Sequence, residues 1–154
     1  RPWPARSTRF GRLRAYTFGS SICVFSTRTL MRMDERFGAG ATYGCCEDID
    51  YCCRHLETAE NISYFPSIAV DHPELNIDVM PLEKVQLYAF GAGGLYAKHS
   101  AYGIFMASVA VSLFRIIAAL LSFNFRRARY AYSAISMRLA GFFHYRRSNR
   151  APHE

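Results

Sequence analysis

Between Ala101 and Phe125 the chain runs for 25 residues with one charge, Arg115, and then closes abruptly on Arg126, Arg127 and Arg129. At about 1.5 Å rise per residue, such a run forms a helix of roughly 37 Å, against a bilayer hydrocarbon core of about 30 Å. A surface helix of a soluble domain of that length alternates with polar positions, and this one does not. The uncharged character begins earlier, at Val85. The pattern therefore predicts a transmembrane helix over 84–127, with its core at 101–125.

Three further segments flank it. Residues 1–33 read as an extended basic arm, because Pro2 and Pro4 disfavour helix and Gly11, Gly19, Ser20 and Ser21 interrupt the middle. Residues 34–83 form an acidic segment. Within it, 45–60 lacks Pro and Gly and carries Ile49, Cys52, Cys53 and Leu56 at helical spacing, which predicts a short helix there. Glu47, Asp48 and Asp50 suit the positive end of its dipole. Pro66, Pro73 and Pro81 make 61–83 a loop. In 128–154, the positions Ala128, Tyr132, Ile135, Leu139 and Phe142 form one stripe with basic flanks. That is the pattern of an amphipathic helix lying on a bilayer surface or on a partner. The fold expected is mostly α: a single-pass transmembrane helix with an extended N-terminal arm, a short Cys-bearing helix and a C-terminal amphipathic helix.

Charge sorts along the same boundaries. Residues 1–33 hold seven Arg and no acid; 34–83 hold eleven acids and two bases; 84–154 hold ten bases and one acid. The overall charge of +7 is thus the sum of unlike segments, not a uniformly basic surface. A segment with nine more acids than bases repels nucleic acid, which counts against an RNA-binding role even though the ends are Arg-rich. The arm, rich in Arg, Ser and Thr and free of acid, has the composition of an organelle transit peptide or of a mature arm behind a cleaved leader. A mitochondrial address is expected first, a plastid membrane second. Seven Arg follow Phe125, so the C-terminal side is expected to face the compartment that retains positive charge.

Candidate chemistry is sparse. Cys45, Cys46, Cys52 and Cys53 fall in CCEDIDYCC. On one helix, partners seven residues apart are about 10.5 Å apart, too far for a disulfide, which needs Cα atoms within about 7 Å. They pair with another element, pack as small apolar groups, or stay reduced. None has the spacing of a zinc knuckle, so no metal is expected. The histidines are scattered, no hydrolytic constellation is visible, and no catalytic residue or small-molecule substrate is expected.

The more informative positions belong to a membrane protein. Ala89, Gly93, Ala97 and Ala101 recur every fourth residue, a spacing at which small side chains let helix backbones approach closely. Arg115, near mid-span, costs at least about 2.5–3.5 kcal/mol in lipid. It calls for a carboxylate, backbone carbonyls or a lipid phosphate, or else snorkels to an interface. Arg126, Arg127, Arg129, Arg146 and Arg147 are candidates for anionic lipid head groups, cardiolipin in a mitochondrion. No other cofactor is expected. These observations point to a non-catalytic accessory subunit of a mitochondrial inner-membrane complex, either a respiratory-chain complex or ATP synthase. Its partners would be other subunits and anionic lipids, with no nucleic acid bound. The alternatives are an RNA-binding organelle ribosomal protein and, behind it, a cysteine-based redox or metal-handling membrane protein.

Overall fold

The computed structural model describes residues 8–11, 16, 31–58, 62–64 and 80–149. They contain two short strands and four helices: β1 Thr8–Phe10, α1 Glu47–Glu57, β2 Ile62–Tyr64, α2 Leu82–Lys98, α3 Tyr102–Leu121 and α4 Phe125–Ser148. The chain divides into two compact units, one made of Arg1–Asp34 with Glu47–Leu75, the other of Glu35–Cys46 with Asn76–Glu154.

In the first unit, β1 and β2 pair antiparallel, with Thr8 opposite Tyr64 and Phe10 opposite Ile62. Most of the arm expected over 1–33 lies outside the described residues, and the described part at 8–10 is a strand. Helix α1 has its acids in the first turn and Arg54 and His55 in the last, matching the helix dipole at both ends. Its hidden residues are Asp50, Tyr51, Cys53 and His55, while Ile49, Cys52 and Leu56 are half-buried. The apolar stripe read from the sequence is thus not the most buried face. The reason is an ion pair one turn apart: Arg54 Nε donates to Asp50 Oδ2 at 2.9 Å and Arg54 Nη1 donates to the Arg32 carbonyl at 2.8 Å. A carboxylate held in this way can be buried without leaving an uncompensated charge.

The second unit is a three-helix bundle in which α2 and α4 run parallel and α3 runs antiparallel to both. The direction follows from the contacts. Tyr130 donates to the Met80 carbonyl at 3.2 Å, Gln86 donates to Ser133 Oγ at 2.9 Å, and Gly93 lies against Arg138 and Phe142, so both helices ascend together. In α3 the order reverses: Phe105 stacks on Phe142 at 4.4 Å, and Ser112, one helix-third later, meets Arg138.

The continuous helix expected over 84–127 is therefore two helices, and the segment after it is a third that folds back. Both breaks are Schellman turns. At the first, Ser100 N–H donates to the Ala97 carbonyl and Ala101 N–H to Tyr96; at the second, Phe123 N–H donates to Leu120 and Asn124 N–H to Ala119. Each turn needs one left-handed residue, and the chain places Ser100 (φ 51°) and Phe123 (φ 53°) there. Glycine is the usual occupant, and its absence hid both breaks from the sequence. For Phe123 the left-handed backbone costs roughly 1–2 kcal/mol. Asn124 then caps α4, its Oδ1 accepting from the Arg127 N–H at 3.0 Å.

Helices α2 and α4 touch through backbone. A methyl group at Gly93 would strike the Arg138 carbonyl, and one at Gly141 would strike the Phe90 carbonyl. On another side of α2, Gly91 and Gly94 leave room for Tyr43, carried in from the loop 35–46. Tyr43 is 2% exposed, stacks on Phe37 at 4.7 Å, and shares a 3.1 Å hydrogen bond with His144 Nδ1. Arg36 fastens the same loop to the end of α4, donating to Tyr145 Oη and Asn149 Oδ1, each at 3.2 Å.

Candidate functional site: an apolar helix turned outward

Helix α3 is 20 residues, about 30 Å at 1.5 Å per residue, and is the one helix among the described residues long and apolar enough to cross a membrane. Its buried residues are Phe105, Ser112 and Ala119, spaced by seven. That spacing is a single narrow seam along one side. Ile104, Ser108, Val109 and Ile116 flank it half-buried, and most of the rest faces away from the protein: Phe114 is 71% exposed and Leu121 77%, and Met106, Val111, Leu113, Ile117 and Leu120 are also exposed. Only 17% of its most apolar stretch is buried. The core helix of a soluble fold has the opposite geometry.

The seam carries a polar contact at its centre. Arg138 of α4 reaches across to α3, where its Nη1 donates to Ser112 Oγ at 3.2 Å and to the Ser108 carbonyl at 3.5 Å. Ser112 Oγ in turn donates to the Ser108 carbonyl at 2.9 Å, and Ser108 Oγ to the Phe105 carbonyl at 2.7 Å. Arg138 Nε is enclosed without an acceptor. Arg115, one turn beyond Ser112, is exposed.

The five arginines singled out as head-group candidates separate into two sets. Arg126, Arg127 and Arg129 are exposed on the opening turns of α4, and Arg146 and Arg147 on its last turn. From Arg126 to Arg147 the helix rises about 31 Å, close to the thickness of a hydrocarbon core. Arg126 lies over the Tyr130 ring at 5.5 Å and Arg146 over Phe142 at 6.0 Å. Because α4 folds back along α3, the arginines after Phe125 are shared between both ends of the bundle. The charge excess that favoured one orientation is no longer one-sided.

Of the four small residues, Ala89 is buried on α2, Gly93 makes the backbone contact with α4, Ala97 is half-buried, and Ala101 lies beyond the end of α2 in the link to α3. Gly141, the matching glycine on α4, is not part of that pattern and was invisible to it.

The four described cysteines are reduced, none of them in a disulfide. Cys45 and Cys46 precede α1, with Sγ atoms 3.2 Å apart, and belong to the second unit; Cys52 and Cys53 lie on α1 in the first. Cys45 also donates to the Tyr88 carbonyl at 3.7 Å. Burial pushes the Cys52 thiol up to about 11, with Asp48 and Cys53 adding to the shift. It is therefore protonated at neutral pH and is a poor nucleophile and metal ligand. Among the described residues no group of three or more His, Cys, Asp or Glu is arranged to hold a metal ion.

Sequence reasoning missed Arg138 and its serine partners as a site. Two signals were present: Arg138 is the one charge between Arg129 and Arg146, and Ser108 and Ser112 stand four apart inside the apolar run. Nothing local pairs them; that takes the fold-back at 122–124. No family model, no curated protein and no solved structure matches the chain.

Proposed function

We propose that this chain is a non-catalytic accessory subunit of a mitochondrial inner-membrane complex, a respiratory-chain complex or ATP synthase, where it scaffolds neighbouring subunits and anionic lipid. The observation that carries the reading is the outward apolar surface of α3, which needs lipid or a partner to cover it. In this reading α3, the one described helix apolar enough to cross by itself, crosses the bilayer, and α4, which is not, returns through the same layer only by packing its Arg138 against α3, as the second arm of a hairpin. The outward face of α4 between its arginine ends supports this: Tyr132, Ser136, Ala140 and Phe143 are exposed and uncharged. The two arginine sets then lie at the two head-group levels, where cardiolipin or another anionic phospholipid suits them. The mitochondrial address rests on the acid-free, Arg-, Ser- and Thr-rich first 33 residues.

The test is carbonate extraction of isolated mitochondria followed by native-gel separation. The chain should stay in the pellet and migrate with a large inner-membrane assembly whose other members are then identified. Release into the supernatant would end the membrane reading, and ribonuclease-sensitive sedimentation with ribosomes would replace it with RNA binding.

A further inference from the structure

The polar contact between α3 and α4 is electrically incomplete. Ser112 is the eleventh of the 20 residues of α3, roughly 14–15 Å from either end at 1.5 Å per residue, so the Arg138 guanidinium is held at mid-depth. Of its nitrogens, Nη1 alone finds acceptors among the described residues, and both are neutral. Arg115, three residues beyond Ser112 on the same helix, adds a second positive charge. No Asp or Glu occurs between residues 84 and 149. The acid on α2, Glu83, stands in its first turn, and the parallel packing of α2 and α4 sets that turn beside Tyr130 and not beside Arg138. Arg138 at this depth, with Arg115 about 5 Å nearer the C-terminal end of α3 and no acid on the three helices beside either, calls for an anion from beyond these helices.

Depth decides which anion. A lipid phosphate sits outside the hydrocarbon core, some 15 Å from its centre, and Arg138 is tied to Ser112 and cannot extend to meet it. A carboxylate on a neighbouring helix reaches mid-depth with no such limit, and guanidinium and carboxylate pair through two parallel hydrogen bonds. We propose that Arg138 and Arg115 form a mid-membrane docking site for one Asp or Glu on a transmembrane helix of a neighbouring subunit. The inference rests on the membrane reading above and names the chemistry of the partner that reading requires. Ser108 and Ser112 hold Arg138 in place, and exposed Arg115 presents the charge at the surface of α3.

The experiment uses the full chain in phosphatidylcholine vesicles with a leucine-rich probe helix bearing a single central Asp. Control probes carry a central Asn, a terminal Asp or no polar residue. Capture is read by energy transfer between labelled partners, and carbonate resistance of the chain is read on the same vesicles. The central-Asp probe should be captured at least tenfold more strongly than each control. Arg115→Gln, at an exposed position, should remove most of that preference, and Arg138→Leu should remove all of it. Equal capture of the Asn probe, or a preference unchanged by Arg115→Gln, would overturn the docking site. Loss of capture when phosphatidylglycerol is added would also overturn it, in favour of a head-group phosphate. A chain that resists carbonate but ignores the central Asp refutes this inference alone. A chain washed out by carbonate refutes the membrane reading beneath it.

Discussion

Helix α1 hides Asp50 completely, whereas α3 leaves Leu121 77% exposed. The first is built for water: its acids and bases sit at the dipole-favoured ends, and its buried carboxylate is matched by Arg54. The second inverts that logic, with serine and an arginine contact on the inner seam and Phe114, Ile117 and Leu121 outside. One chain thus contains two helices whose surfaces suit different solvents. The charge segmentation of the sequence is the long-range trace of the same division.

The contrast can be broken from either side. Replacing Asp50 with Ala leaves Arg54 partly enclosed without its carboxylate, and removing one partner of such a pair costs about 3–5 kcal/mol. Amide exchange across 47–57 should accelerate accordingly, and unchanged protection would mean that α1 is not held by this pair. Val111→Asp tests the other side. On a water-facing surface such a change stays within about 0.5 kcal/mol, but facing hydrocarbon it costs about 2.5–3.5 kcal/mol. Membrane retention of the variant should fall sharply, and full retention would show that this face of α3 does not meet lipid. The smallest effect is expected at Cys52. With its thiol raised from 9.0 to about 11, roughly 100-fold less thiolate is available at a given neutral pH than for an unshifted thiol. Iodoacetamide should label it correspondingly slowly until α1 unfolds. Because the folded state holds this proton more tightly, its contribution to stability is intact below pH 9 and is lost as pH rises towards 11. Rapid labelling of the folded chain at pH 7 would contradict the enclosed site.

The long apolar helix α3 was legible in the sequence because its signal is local and long: a run with one charge, closed by arginines. Helix α1 was legible for the same reason, through an unbroken stretch with acids at its start. The two turns were not. A left-handed residue is usually announced by Gly or Asn, and Ser100 and Phe123 announce nothing. The four-residue spacing of Ala89, Gly93, Ala97 and Ala101 signalled close packing, but the Arg138 carbonyl that Gly93 meets lies 45 residues away along the chain. The β1–β2 pairing joins residues more than 50 apart, through a strand, Thr8–Phe10, that shows no alternation. Arg138 was visible as a lone charge off the apolar stripe of 128–142. Its meaning depends on a fold-back that no short window contains.

The fold-back also bears on how the chain is made. Synthesis proceeds from the N-terminus, so Ser108 and Ser112 emerge before Arg138, which follows Ser112 by 26 residues. In the hairpin reading each helix carries an ion that lipid rejects, Arg115 on α3 and Arg138 on α4, and the hydroxyl and carbonyl groups that receive the second are in place before it arrives. The three-residue turn at 122–124 keeps donor and acceptor tethered through that interval. In that reading α3 precedes α4 into the bilayer and already holds the hydroxyl and carbonyl groups that Arg138 meets.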